Sequence, residues 1–165
     1  MGQTYLIDSW DQAWPPEQWT EELREQIRGG HTRPFLVHRG EEEYAYVEIY
    51  EVLHSNLAEF GDWTSHDLGF HIAVVDHEFI GRGIGSMFVP KLVASLFRQY
   101  ARARRVVGEP NIRNVAVSKV MVKAGMNPVR EIELPHKTAL LHVATRPEGS
   151  WSDPRLQFGA RSPAP

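Results

Sequence analysis

The sequence predicts an α/β domain, a mixed sheet with helices packed on both of its faces. Three observations predict it. Residues 70–75 read Phe-His-Ile-Ala-Val-Val, an apolar run of the length of a buried strand, and glycines follow at 81, 83 and 85. From Ser86 the apolar positions change to helical spacing at Phe88, Leu92 and Leu96, beside Val89, Val93, Phe97 and Tyr100. Residues 105–109 then form a second short strand. A strand–helix–strand connection of this length makes the two strands parallel neighbours joined by a right-handed crossover.

From the amino terminus, residues 1–14 read as an extended lead-in or short strand around Tyr5 and Ile7. Pro15-Pro16 opens a helix, carried by Trp19, Leu23 and Ile27 and closed by Gly29-Gly30. Residues 34–38 form a strand, and Gly40-Glu41 turns the chain into a longer one. That strand alternates: Ala45, Val47 and Ile49 face one way, and Tyr44, Tyr46, Glu48, Tyr50 and Val52 the other. The second face has two readings. Tyr46 and Tyr50 around Glu48 suit an alkyl-ammonium group by charge and cation–π contact, and tyrosines equally suit a half-exposed strand face. Residues 53–65 are irregular, with Trp63 either a lid on the core or a contact at a substrate entrance.

In the central strand Phe70, Ile72 and Val74 share one face and His71, Ala73 and Val75 the other. After the parallel strand, residues 115–124 form a helix that Gly125 caps. Strands at 129–134 and 138–144 follow, joined through Pro135-His136-Lys137. The domain spans 1–146. Residues 147–165, rich in proline, glycine, serine and charge, read as a flexible tail with docking points at Trp151, Leu156 and Phe158.

The chain of 165 residues is long enough for one substantial core. No apolar run reaches membrane-spanning length and no signal pattern opens the chain, so cytoplasm is the expected compartment. Absence of cysteine excludes disulfides, thiolate metal sites and a cysteine acyl-enzyme. The eight histidines lack the spacing of a metal-binding helix, and no metal is expected. The net charge of −3 hides an asymmetry. Between Met87 and Arg130 Glu109 is the only acid, against nine lysines and arginines, whereas the first 67 residues are acid-rich. The bland reading is two differently solvated faces. The functional one is a basic half for a polyanionic cofactor and an acidic half for a cationic amine. Nucleic acid is not expected, because the basic residues come without a stacking series of aromatics.

The glycine turn has three anion-binding readings beside that of an ordinary strand-to-helix bend. Without a Cβ at Gly81, Gly83 and Gly85 the backbone can turn sharply, and the free N–H groups of the next helix favour a phosphate-type anion. Alternate glycines break the G-x-G-x-x-G spacing of dinucleotide sites, and Gly85-Ser86-Met87 lacks the lysine of nucleoside-triphosphate loops. Gly83-Ile84-Gly85 resembles the glycine half of the pyrophosphate loop of GCN5-related N-acetyltransferases (GNAT), with Ile80 where that family has Arg or Gln. The segment from Asn114 to Met126 resembles the same superfamily's Asn-x-x-Ala-x-x-x-Tyr-x-x-x-Gly-Phe pattern, in register at Asn114, Gly125 and Met126. Met121 stands where many members place the tyrosine that protonates the departing thiolate. The resemblance implies a GNAT-like fold, its mixed sheet mostly antiparallel with one splayed parallel pair.

A narrower resemblance covers residues 44–143. The runs Gly-Phe-His-Ile-Ala-Val, residues 104–114 and Leu134-Pro135-His136-Lys137 are similar to the siderophore-biosynthesis branch, whose members acylate N-hydroxylysine, N-hydroxycadaverine or related hydroxylamines. That resemblance implies His71 and Glu109 as the catalytic pair, although the branch often has Asp where Asn111 stands. Acyl-CoA, acetyl or larger, would lie along Ala73, Val74 and Val75, with its pyrophosphate on Gly81, Arg82, Gly83, Ile84, Gly85 and Ser86 and its pantetheine arm at Asn114. The acceptor would meet Tyr46, Glu48, Tyr50, Trp63, His136 and Lys137. His71 suits a general base because an ordinary imidazole titrates near neutrality; Glu109 would orient it. Either residue could instead be structural, His71 as a core histidine and Glu109 as a strand-end carboxylate paired with an arginine. Two other functions stay open: an aminoglycoside or polyamine N-acetyltransferase, and an acyl-CoA-binding module without chemistry.

Overall fold

The computed structural model describes residues 15–74 and 83–147. Helix α1 spans Pro16–Gly29, with Pro15 as its N-cap and Gly30 left-handed at φ 76° after its end. Strands β1 (Thr32–Arg39) and β2 (Glu42–Glu51) form a hairpin through Gly40, whose φ of 66° disfavours any residue with a Cβ. Two short 3-10 helices, Val52–His54 and Ala58–Phe60, occupy the stretch expected to be irregular. Then come β3 (Leu68–Val74), α2 (Ile84–Gln99), β4 (Arg105–Gly108), α3 (Val115–Lys123), β5 (Asn127–Leu134) and β6 (Lys137–Thr145). The expected lead-in strand around Tyr5 and Ile7 and the tail beyond Pro147 lie outside the described residues.

The described strands make one sheet in the order β1-β2-β3-β4-β6-β5. Every neighbouring pair is antiparallel except β3 with β4. That parallel pair is short: Leu68 faces Val106 and Gly69 faces Val107, after which β3 continues to Val74 without β4 beside it. The strands therefore splay. The outer strands among those described each carry a proline, Pro34 in β1 and Pro128 in β5.

Strand alternation divides the core. On one face Val47, Ile49 and Phe70 pack with Val89, Val93 and Leu96 of α2 and with Met121 and Met126 around α3. On the other face Tyr50, Val52, Leu57, Val107, Ile132 and Leu141 form a second cluster, and α1 covers the same face beside it, with Trp19 edge-on to Tyr46. Burying each large apolar side chain contributes about 1.5–3 kcal/mol. Helices on both faces match the expectation.

Two ionic braces hold the sheet at the start of β3 and β4. Asp67, fully buried, accepts from the backbone N–H groups of Thr64 and Arg105 and from the Arg105 guanidinium, which also reaches Asp62 and stacks on Trp63. Arg146 donates to the carbonyls of Phe97, Tyr100 and Ala103, satisfying acceptors that the end of α2 leaves open.

Candidate active site

The β2–β3 register sets Tyr46 opposite Ala73, Glu48 opposite His71 and Tyr50 opposite Gly69. All point to the face of the sheet that Glu109 joins from the end of β4. Sequence parity alone left open whether His71 and Glu109 meet; the structure brings them together. His71 Nε2 lies 2.5 Å from Glu109 Oε1, and Nδ1 lies 3.2 Å from Glu48 Oε2. Glu48 and Glu109 are buried, whereas the His71 side chain keeps 31% of its surface exposed. Gln26 of α1 and the Tyr46 hydroxyl donate to Glu48 Oε1 at 3.0 and 2.8 Å. The Tyr50 hydroxyl donates to Glu109 Oε2 at 2.9 Å, and Lys137 Nζ stands 3.7 Å from Oε1. Tyr50 reaches Glu109 by crossing Gly69, where a Cβ would lie 2.1 Å from its ring.

This arrangement sets the charge on His71. Burial favours the neutral ring, but the charge and hydrogen bond of Glu109, joined by those of Glu48, outweigh it and raise the pKa to about 9. At neutral pH the ring is therefore protonated, an imidazolium between two carboxylates. Burial pushes Glu109 up, yet the cation on His71, its hydrogen bond, Lys137 and Tyr50 bring it down to about 2. Glu48 is likewise lowered: donors from His71 and Gln26, with the His71 charge, overcome its burial. Tyr50 is pushed far up by burial and by Glu109, so it serves as a donor.

Of the residues expected to meet the acceptor, Glu48, with Tyr46 beside it, lies against His71, and Tyr50 lies against Glu109. Lys137 brings a positive charge to Glu109, so the cluster of Glu48, His71, Glu109 and Lys137 balances to neutrality. Trp63 donates its ring N–H to the Leu57 carbonyl at 2.7 Å and lies under Arg105, packed on the second cluster as a lid. His136 sits exposed in the β5–β6 turn. Gln26, an unremarkable polar residue on an amphipathic helix, carried no signal in the sequence.

On the cofactor side, Ala73 and Val74 end β3, while Val75, Gly81 and Arg82 lie outside the described residues. Gly83 is the N-cap of α2 at φ 76°, and a Cβ there would meet open space. Ile84, Gly85 and Ser86 make the first turn, which holds no acidic residue and no side-chain cap, so its N–H groups suit an anion. Asn114 caps α3, its side-chain oxygen accepting from Val117 N–H. Met121 is buried in the first cluster, and a Cβ on Gly108 would lie 2.6 Å from its terminal methyl. This methionine fills core volume and supplies no proton.

An acetyltransferase (GNAT) domain model matches residues 1–134. The lysine N-acyltransferase MbtK of Mycobacterium sp. (strain MCS) is 30% identical over 146 residues, 88% of this chain; the chain spans 60% of that protein's length. The N-hydroxyputrescine acetyltransferase of Acinetobacter baumannii is 26% identical over 88% of this chain and 69% of its own. Among solved structures, the aminoglycoside acetyltransferase AAC(6')-Ib in complex with coenzyme A superposes with a TM-score of 0.75 at 20% identity, over 88% of this chain and 84% of that one. With residues 1–134 under that single description, this chain belongs to the family of GNAT-domain acetyltransferases.

Proposed function

We propose that this chain transfers an acyl group from acyl-CoA to the nitrogen of an N-hydroxylated diamine or lysine, as a step in making a siderophore. The observation that carries the reading is the His71 ring pinned between Glu48 and Glu109 beside the gap where β3 leaves β4. The names of the lysine and N-hydroxyputrescine acyltransferases above support the acceptor class. In this reading the first turn of α2, from Gly83 to Ser86, holds the pyrophosphate, with Gly81 and Arg82 before it. The end of β3 at Ala73 and Val74, with Val75 next in sequence, aligns the thioester. Residues 1–146 form the catalytic domain, 147–165 its tail, and the work is done in the cytoplasm.

The chemistry follows from the protonation states. A new C–N bond forms, the C–S bond breaks, and the proton on nitrogen must end on sulfur. His71 starts protonated, so it gives its proton to the leaving thiolate, whose ordinary pKa of about 8.5 is close to that of the ring. The ring, then neutral, takes the proton from the nitrogen of the adduct, and Glu48 and Glu109 stabilise the imidazolium that forms again. A primary amine with a pKa near 10.4 arrives protonated at pH 7 and cannot attack. A hydroxylamine, far less basic, arrives neutral.

The test is thiol release from acetyl-CoA with N-hydroxylysine and N-hydroxycadaverine against lysine and cadaverine between about pH 6 and 9. Higher kcat/KM for the hydroxylamines is expected. Equal or better use of plain amines favours the aminoglycoside or polyamine alternative, and no transfer to any acceptor favours a binding module.

A further inference from the structure

Three side chains outside the acyl-transfer site converge at the other end of β3. His31 lies just before β1, Glu51 ends β2 opposite Leu68, and His54 closes the first 3-10 helix. The Nδ1 atoms of His31 and His54 lie 3.0 and 3.1 Å from the same oxygen of Glu51, Oε2. The three potential ligand atoms all fall within 4.8 Å of one another. Sheet hydrogen bonding fixes the backbone beneath them: Glu51 N–H donates to the His31 carbonyl at 2.9 Å, and Val52 N–H to that of Asp67 at 3.1 Å. The side chains remain 36–52% exposed, within reach of a hydrated ion.

We propose that His31, Glu51 and His54 form a surface site for a divalent late first-row cation of the zinc class. Ligands at the roughly 2.0–2.2 Å bond lengths of zinc lie about 3.3–3.6 Å apart at a tetrahedral angle. The two histidine–carboxylate separations, 3.0 and 3.1 Å, lie a few tenths of an ångström below that range, so a small opening of the group would seat the ion. Two imidazoles and one carboxylate are donors that suit zinc, copper or nickel, and they lack the oxygen cage that magnesium or calcium requires. His31 and Glu51 also line a cleft of about 270 Å³ with Arg33, His66, Tyr100 and Arg102, so the remaining coordination positions lie beside space for water or a small anion.

The two imidazoles stack at 3.6 Å between centroids, only 13° from parallel. Parallel rings share no point lying in both planes, so neither a zinc ion nor any other can meet both Nδ1 lone pairs in plane while the stack persists. Binding must turn the exposed rings toward each other around Glu51 and break the stack. Bound metal would then tie the start of β1, the end of β2 and the 3-10 helix together.

The experiment uses the untagged full-length chain, freed of metal with a chelator and titrated with zinc chloride by calorimetry. One equivalent is expected to bind, with magnesium giving no signal. H31A, H54A and E51Q should each weaken binding at least tenfold, while H38A leaves it unchanged. In the wild type, zinc should also move the ring C–H resonances of His31 and His54 together as the stack opens, a readout that needs no variant to fold. Failure to bind zinc, affinity undiminished in any of the three variants, or binding with those resonances unmoved would each overturn the proposal.

Discussion

Replacing Glu48 with Gln tests the electrostatic account of His71 directly. The substitution removes one negative charge 3.2 Å from Nδ1 and keeps an oxygen for Gln26 and Tyr46. The new amide N–H faces Nδ1, which can accept it only with its lone pair free, so the neutral ring is favoured twice over. At 3.2 Å a full ion pair is worth about 5 kcal/mol at an effective dielectric of 20 and a little over 1 kcal/mol in bulk water. With its side chain 31% exposed, His71 falls between these limits. About 1.4–2.8 kcal/mol corresponds to one or two pH units. The His71 titration, followed by NMR of its ring C–H, should fall by that amount from about 9. If His71 supplies the proton to the thiolate, the alkaline limb of kcat/KM should move down with it. An unmoved NMR midpoint refutes the electrostatic account. A midpoint that falls while the activity limb stays in place refutes the proton-donor role.

Three further outcomes follow from the same geometry. Because the folded-state pKa of His71 lies above its ordinary 6.5, its contribution to stability is complete below pH 6.5 and lost as the pH rises toward 9. That of Glu109 is complete above pH 4.5 and lost as the pH falls toward 2; thermal melts across these windows should flatten in H71A. Lys137→Met removes the cation 3.7 Å from Glu109 and should lower kcat/KM several-fold for N-hydroxylysine and N-hydroxycadaverine alike; unchanged activity on both would remove Lys137 from the site. Gly83→Ala should cost about 1 kcal/mol in a urea melt, since φ is 76° and the added Cβ meets open space, yet weaken acetyl-CoA binding measurably by calorimetry. Unchanged affinity in the folded variant would remove the pyrophosphate from this turn.

Much of the fold was legible because the local signals agreed with one another. Alternation in β2 put Val47 and Ile49 on one face and Tyr46, Glu48 and Tyr50 on the other, Gly30 and Gly40 stand at the turns their φ values require, and the switch from strand to helical spacing located α2. The partnership of His71 with Glu109 was legible only through family resemblance, since 38 positions separate them and parity says nothing about distance. Glu48 was visible as an inward carboxylate, but its partner depends on register, which puts it opposite His71. Gln26 and the His31–Glu51–His54 group were invisible for a related reason: each joins residues of different elements, and no spacing within one element announces them. Asn114 suits both cap and ligand by type, and only the bond from Val117 N–H identifies the cap.

The two glycines at the point where β3 and β4 part have a consequence for anyone scanning this chain by mutation. Gly69 leaves room for the Tyr50 ring on one face of the sheet, and Gly108 leaves room for the end of Met121 on the other. Neither offers a functional group, yet an added methyl at Gly69 would push the Tyr50 hydroxyl off Glu109. Gly69→Ala should therefore score as an inactivating change of the kind expected at a reacting residue, although alanine is otherwise the mildest substitution. An activity screen without a folding measurement would place both glycines in the catalytic machinery. A paired abundance screen would separate them from residues that act only in the chemistry, because a sheet wedged open at Gly69 or Gly108 lowers the amount of protein in the cell.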